Sequence, residues 1–259
     1  MLATPRTSQD RLWYGGAVAA LIASAWGILG VWGASPHAAW LGHRGGGEAS
    51  VQLLIHLGIF VVAWTLMTVA MMLPGSLPLV RLFGILVRER AGHGRLVAGL
   101  VAGYLLVWAG FGVAAFVGDL LVHALIDRVP GMGGFVYPAV LLTAGAYQFT
   151  SLKDRCLTQC RSPYTQIASH WRGFRPMREA MALGVRHGEW CVGCCWVLML
   201  VMFAAGVGHL GWMLALGAVM AAERATPWGR RVSRPVGLVL MVWAIALLAG
   251  TPSVRLLEL

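Results

Sequence analysis

Long apolar runs separated by short, arginine-bearing polar breaks set the pattern of this chain. The runs fall at about 12–32, 51–73, 96–123, 135–152, 190–207, 210–223 and 236–251. Most approach the roughly 20 residues that a helix needs to cross a bilayer. None shows the two-residue alternation of a barrel strand, and a backbone in lipid must satisfy its own hydrogen bonds, so the runs are predicted to be helices. The expected fold class is all-α: a polytopic transmembrane helix bundle of about seven spans, forming a single membrane domain over residues 1–259. Residues 153–189 are expected as a loop rich in Cys and Arg. The first run competes with a signal peptide, but its length favours an anchor. Residues 77–90, with Arg81, Arg88 and Arg90, predict an amphipathic segment at the membrane surface. His37 and His43 sit in a Gly-rich loop with Arg44 and Glu48 and read as solvated. Asp119 and His123, four apart near the end of the third run, read as an interfacial pair.

Composition supports this class. The chain is 58% hydrophobic and 12% charged, whereas a soluble domain carries about a quarter charged residues. The formal net charge of +10 would suit nucleic acid in a soluble protein. In a membrane protein it is topogenic, and no nucleic-acid partner is expected. A cytoplasmic N-terminus leaves only Arg44, Arg128 and Arg255, of 20 basic residues, on the outer side. That bias obeys the positive-inside rule and predicts a cytoplasmic N-terminus.

Chemistry concentrates at the start of the fifth run. Three of the five cysteines, Cys191, Cys194 and Cys195, lie there. On a helix, i,i+3 and i,i+4 spacing puts all three on one face. Met199 and Met202 continue the sulfur stripe. Cys156 and Cys160 are again i,i+4 if a helix runs on to Pro163. By the expected topology all five thiols lie at the cytoplasmic side, where thiols stay reduced. Met67 and Met71 share a face with Trp64 and end their run at the same depth, as does Glu223. Arg155 and Arg186 are basic neighbours of the thiols in sequence. Thiolates and thioethers are soft ligands that select Cu(I), zinc or iron–sulfur centres, although cysteine and methionine also fill apolar helices without binding anything. The predicted metal ligands are Cys191, Cys194, Cys195, Cys156 and Cys160. Met67, Met71, Met199, Met202, His187 and Glu223 are secondary candidates. Cu(I) is the first expectation. Zn²⁺ is the second, since five thiols could supply a four-cysteine site.

These residues fall in extended motifs: Trp64-x-x-Met67-x-x-Ala70-Met71-Met72-x-Pro74; Tyr147-Gln148; Leu152-Lys153-x-x-Cys156-x-x-x-Cys160-Arg161-x-Pro163; His170-Trp171-Arg172; Gly184-x-Arg186-His187-Gly188; Cys191-x-Gly193-Cys194-Cys195-Trp196-x-Leu198-Met199; and Glu223-Arg224 before Pro227. In them the chain resembles the bacterial predicted metal-binding integral membrane proteins, roughly from the second span to the sixth. The resemblance implies a multi-pass protein of the bacterial cytoplasmic (inner) membrane that binds metal. The family usually shows asparagine in place of His209 and lysine in place of Arg224.

Three functions compete. The first is handling of a soft ion, alone or as a metal-loading accessory subunit that works with other membrane subunits or a soluble metal carrier. The second is a membrane thiol oxidoreductase, because Cys191-Val192-Gly193-Cys194 has redox spacing. The third is a metal-free structural or assembly subunit, for which the glycine-rich helices suit lateral packing in the lipid bilayer. No catalytic residues are predicted, since neither a serine nucleophile motif nor His-Glu-x-x-His is present.

Overall fold

The computed structural model describes residues 9–33, 50–205, 210–226 and 228–250. His37, His43, Arg44, Glu48, His209 and Pro227 lie outside the described residues, as do the topogenic Arg6 and Arg255. The described residues form ten helices: α1 Gln9–Gly33, α2 Ser50–Met71, α3 Leu73–Val87, α4 His93–Arg128, α5 Gly133–Tyr147, α6 Ser151–Cys160, α7 Pro163–His170, α8 Pro176–Ala205, α9 Leu210–Ala225 and α10 Gly229–Leu248. The all-α expectation is met. Among the described residues, Leu53–Met71, His93–Arg128, Pro176–Met202 and Gly229–Leu248 are long and apolar enough to cross a membrane. Ala19–Gly33, Leu73–Val87 and Gly133–Tyr147 are apolar but shorter.

Element boundaries depart from the apolar runs where local chemistry intervenes. The run at 135–152 is broken. The amides of Gln148, Phe149 and Thr150 bond three residues back, to Gly145, Ala146 and Tyr147, at 3.0–3.1 Å. That tightens the end of α5. Thr150 then caps α6, its hydroxyl accepting from the Lys153 amide at 3.2 Å. The stretch 153–189, expected as a loop, is mostly helical. α8 begins at Pro176 because the Glu179 carboxylate gathers the backbone N–H groups of Arg172, Gly173, Phe174 and Arg175 at 2.6–3.0 Å. Pro at the first helical position and an acid one turn in are a strong start signal.

The segment at 77–90, expected on the membrane surface, belongs to α3. Its amphipathic face is buried in the protein through Leu79, Val80, Phe83 and Val87. This face forms a second core with Leu96, Val97, Leu100, Ile167, Ala180 and Leu183. Trp171 closes that core, edge-on to Phe83 at 4.8 Å, with the Arg90 guanidinium 5.3 Å above its ring. At the far end of α4, His123 and Asp119 pair at 3.5 Å, as expected.

The two longest helices, α4 and α8, form the central pair, and they touch backbone to backbone. A Cβ on Gly184 would land on the Leu100 carbonyl oxygen, and one on Gly103 on that of Met181. Small residues allow this approach, which suits helices whose association cannot rely on water exclusion. Gly184→Val is therefore expected to destabilise the protein at the upper end of the roughly 1–3 kcal/mol typical of overpacking. Gly110→Val, on the partner helix α4 but facing open space, is expected to leave the unfolding midpoint in detergent nearly unchanged.

Candidate metal centre

α8 carries the three clustered thiols on one buried face. Cys191, Cys194 and Cys195 are at most 1% exposed. The Cys194 and Cys195 thiols donate to the Cys191 carbonyl at 3.1 and 3.0 Å. This back-bonding aims both sulfurs along the helix towards Cys191. The Cys191 Sγ lies 3.1 Å from the Tyr104 hydroxyl of α4. Gly193 sits between these cysteines for a steric reason: a Cβ there would stand 2.6 Å from the Cys156 Sγ. The glycine of the Cys-x-Gly-Cys-Cys motif thus admits α6 to the thiol face. Tyr147 secures the same spot by donating to the Gly193 carbonyl.

α6 brings the other two cysteines, both 5% exposed. Cys160 reaches hydrogen-bonding range of Cys191 and of Cys194. Those hydrogen bonds, then burial, push its thiol well above the usual thiol range. Burial, with Cys194 nearby, pushes the Cys156 thiol up as well. Both are protonated at neutral pH, so metal uptake at either one displaces a proton. All five cysteines are free.

A third element adds a thioether. α2 ends at Met71 and α3 begins at Leu73, with Pro74 in its first turn. Met72 stands at the break, fully buried, and its Sδ lies 3.7 Å from the Cys195 Sγ. Arg224, at the end of α9, joins the same point. Its Nη2 donates to Cys195 Sγ and to Met72 Sδ, each at 2.9 Å, and its Nη1 to the Met72 carbonyl at 3.3 Å. Gly75 leaves the space that this side chain crosses, since a Cβ there would meet Arg224 Cδ at 2.9 Å.

Beside the sulfurs lies a buried ion pair. Lys153 Nζ donates to both oxygens of Glu223, at 2.7 and 2.9 Å, and also to Gln148 Oε1. Ser233 adds a hydrogen bond to Glu223 Oε1 at 2.8 Å. The pair ties α6 to α9 and α10. Arg161 makes a second tie from the end of α6 by donating to the Thr226 carbonyl.

The predicted ligands therefore divide. Cys160, Cys191, Cys194 and Cys195 come together, and Cys156 flanks them. Met67, Met71, Met199 and Met202 line the same buried core, with Met71 turned towards Gly217 of α9. Met72, outside the predicted set, brings its Sδ to 3.7 Å from the Cys195 Sγ. Glu223 is committed to Lys153 and Ser233. His187 is held through both ring nitrogens, 3.0 Å from Ser76 Oγ and 3.1 Å from Gln166 Oε1. Of the basic residues near the thiols in sequence, Arg186 pairs with Glu189 at 2.8 Å on a half-exposed face. The cation at the sulfurs is Arg224. Among the described residues, no three or more His, Cys, Asp or Glu side chains stand ready as a metal cage.

Tyr104 is not marked by the sequence, and Met72 and Arg224 stand in its motifs without being predicted at the sulfur site. The Pro74-Gly75 pair just after Met72 is one signal that could have found that residue. The other is a Glu-Arg pair closing an apolar helix, where each charge needs a partner.

Fold and site together define an all-helical protein, with helices able to cross a membrane, built around a buried cluster of cysteine and methionine sulfur. Residues 61–247 match the PpoB2 family, whose description is copper chaperone. The chain belongs to this family. The match supports the metal-related part of the sequence resemblance, and the family description points to copper. Nothing in the match supports zinc. No curated protein and no solved structure matches the chain.

Proposed function

We propose that this protein is a membrane-embedded copper chaperone that takes up Cu(I) at its buried sulfur cluster and passes it on by exchange between sulfur ligands. The observation that carries the reading is convergence: sulfur from α6, from α8 and from the break between α2 and α3 meets at one buried point. Cu(I) is soft and is satisfied by two or three sulfur ligands. A structural zinc site asks for four ligands in a tetrahedron. Here the thiols sit around hydrogen bonds, and a thioether stands at 3.7 Å from one of them. That donor set suits a low-coordinate monovalent ion.

The working arrangement follows from the charge pattern. The N-terminus and the thiols face the cytoplasm of a bacterial inner membrane. Cys156 and Cys160, on the short α6, exchange copper with a soluble carrier. Cys191, Cys194, Cys195 and Met72 hold it. Another membrane subunit receives it.

The test is an anaerobic titration of the purified full-length chain with Cu(I), read by competition with a chromogenic chelator and by elemental analysis. One tightly held copper per chain, with zinc displaced by copper, is the expected result. Failure to retain copper under these conditions overturns the reading.

A further inference from the structure

We propose that Arg224 is the specificity-determining residue of the sulfur site: its guanidinium neutralises the Cu(I)–dithiolate formed beside it and so selects a monovalent ion over a divalent one. The inference rests on the copper reading above.

The guanidinium is buried, with the residue 8% exposed. It faces sulfur rather than a carboxylate. Nη2 bridges Cys195 Sγ and Met72 Sδ at 2.9 Å each, and the two sulfurs are 3.7 Å apart. Nε has no hydrogen-bond partner among the described residues. Glu223, its neighbour in the chain, is turned to Lys153. A buried cation is costly unless an anion stands beside it, and the groups beside this one are sulfur atoms and a carbonyl rather than a carboxylate. The anion it fits is one that forms when metal binds.

The charges close for copper. When Cu(I) binds Cys191 and Cys195, two S–H bonds break, two Cu–S bonds form, and both protons leave to solvent. No oxidation state changes. The complex carries one negative charge, and Arg224 cancels it. A divalent ion on the same two thiolates is already neutral, so the guanidinium leaves a net positive charge in a low-dielectric site. Copper and Nη2 also compete for the lone pairs of Cys195 and Met72. Uptake therefore moves the guanidinium off at least one sulfur, while Gly75 gives the rest of the side chain room to lie where it does.

The test uses the full-length protein in detergent, with Cu(I) and Zn²⁺ affinities measured by competition for the native chain, R224Q, R224K and G75A. R224Q is expected to lose at least ~10-fold in Cu(I) affinity, a modest share of what a unit charge about 4 Å away exerts inside a protein. Its preference for Cu(I) over Zn²⁺ is expected to narrow further than its Cu(I) affinity falls. R224K keeps the charge and is expected to restore most of the preference. G75A crowds Cδ and Nη1 but keeps the charge, so it is expected to weaken Cu(I) while retaining the preference. An R224Q protein with native affinity and native preference overturns the proposal, as does an R224K protein that behaves like R224Q. If R224Q does not fold, R224K and G75A decide, since both must still prefer Cu(I). A native chain that takes up no copper would sink the copper reading itself. A copper-binding native chain with an indifferent R224Q sinks only this inference.

Discussion

Serine at Cys191, Cys194 and Cys195 together is expected to abolish stoichiometric copper binding while leaving the helices in place. Serine keeps the size and the hydrogen bonds of each thiol. The Cys194 and Cys195 thiols bond the Cys191 carbonyl at 3.1 and 3.0 Å, and Cys191 bonds Tyr104 at 3.1 Å. A hydroxyl can make all three bonds. It cannot act as a soft ligand for Cu(I). Even loss of an outer-shell partner costs a metal site about 10–100-fold in affinity. Loss of three inner sulfurs should cost much more, so binding should fall out of the range of a chelator competition. Helical circular dichroism and the unfolding midpoint in detergent are the controls. Native copper content in a folded triple variant would move the site away from α8.

Glu223→Ala is expected to be the most damaging single change to stability, by about 3–5 kcal/mol. The substitution strands Lys153, which is 1% exposed and donates to Glu223 at 2.7 and 2.9 Å. It also leaves Ser233 without its acceptor. Removing one member of a buried pair leaves an uncompensated charge, whereas replacing both with apolar residues removes the desolvation problem as well. The double variant Lys153→Met/Glu223→Leu should therefore recover most of the loss. A double-mutant cycle on unfolding in detergent checks this. Additive losses would mean that the two residues do not act as a pair. Because the pair anchors α6, the single variant should also weaken copper binding through Cys156 and Cys160.

The helical class and the thiol face of α8 were legible in the sequence because both rest on short-range periodicity. Hydropathy marks a helix, and i,i+3 and i,i+4 spacing fixes which residues share its side. The early start of α8 was locally encoded too, in Pro176 and Glu179, but the basic character of the stretch pointed to a loop. Met72 stands in the same motif as Met67 and Met71, but those two fit the helical stripe with Trp64 and it does not. Its role comes from the break between α2 and α3, where it stands just before Pro74 in the first turn of α3. From sequence Arg224 reads as topogenic charge, and Glu223 as a secondary metal candidate. Only tertiary packing separates them, sending the carboxylate to Lys153 on α6 and the guanidinium to the sulfurs. Periodicity carries no information about which of two adjacent charges turns which way.

The glycines of α8 divide the site mechanically. Gly184 presses the helix onto α4, and Gly188 would set a Cβ 2.9 Å from Val107 of the same helix. The sulfurs of α8 are thus fixed to a rigid frame. Gly193 faces α6 instead, a helix of ten residues with a turn before it and Pro163 just beyond it. The two groups of cysteines are therefore held by different parts of the fold. α8 owes its place to a glycine seam, and α6 owes its place to the buried Lys153–Glu223 pair, so a packing change and a charge change each disturb a different half of the thiol set.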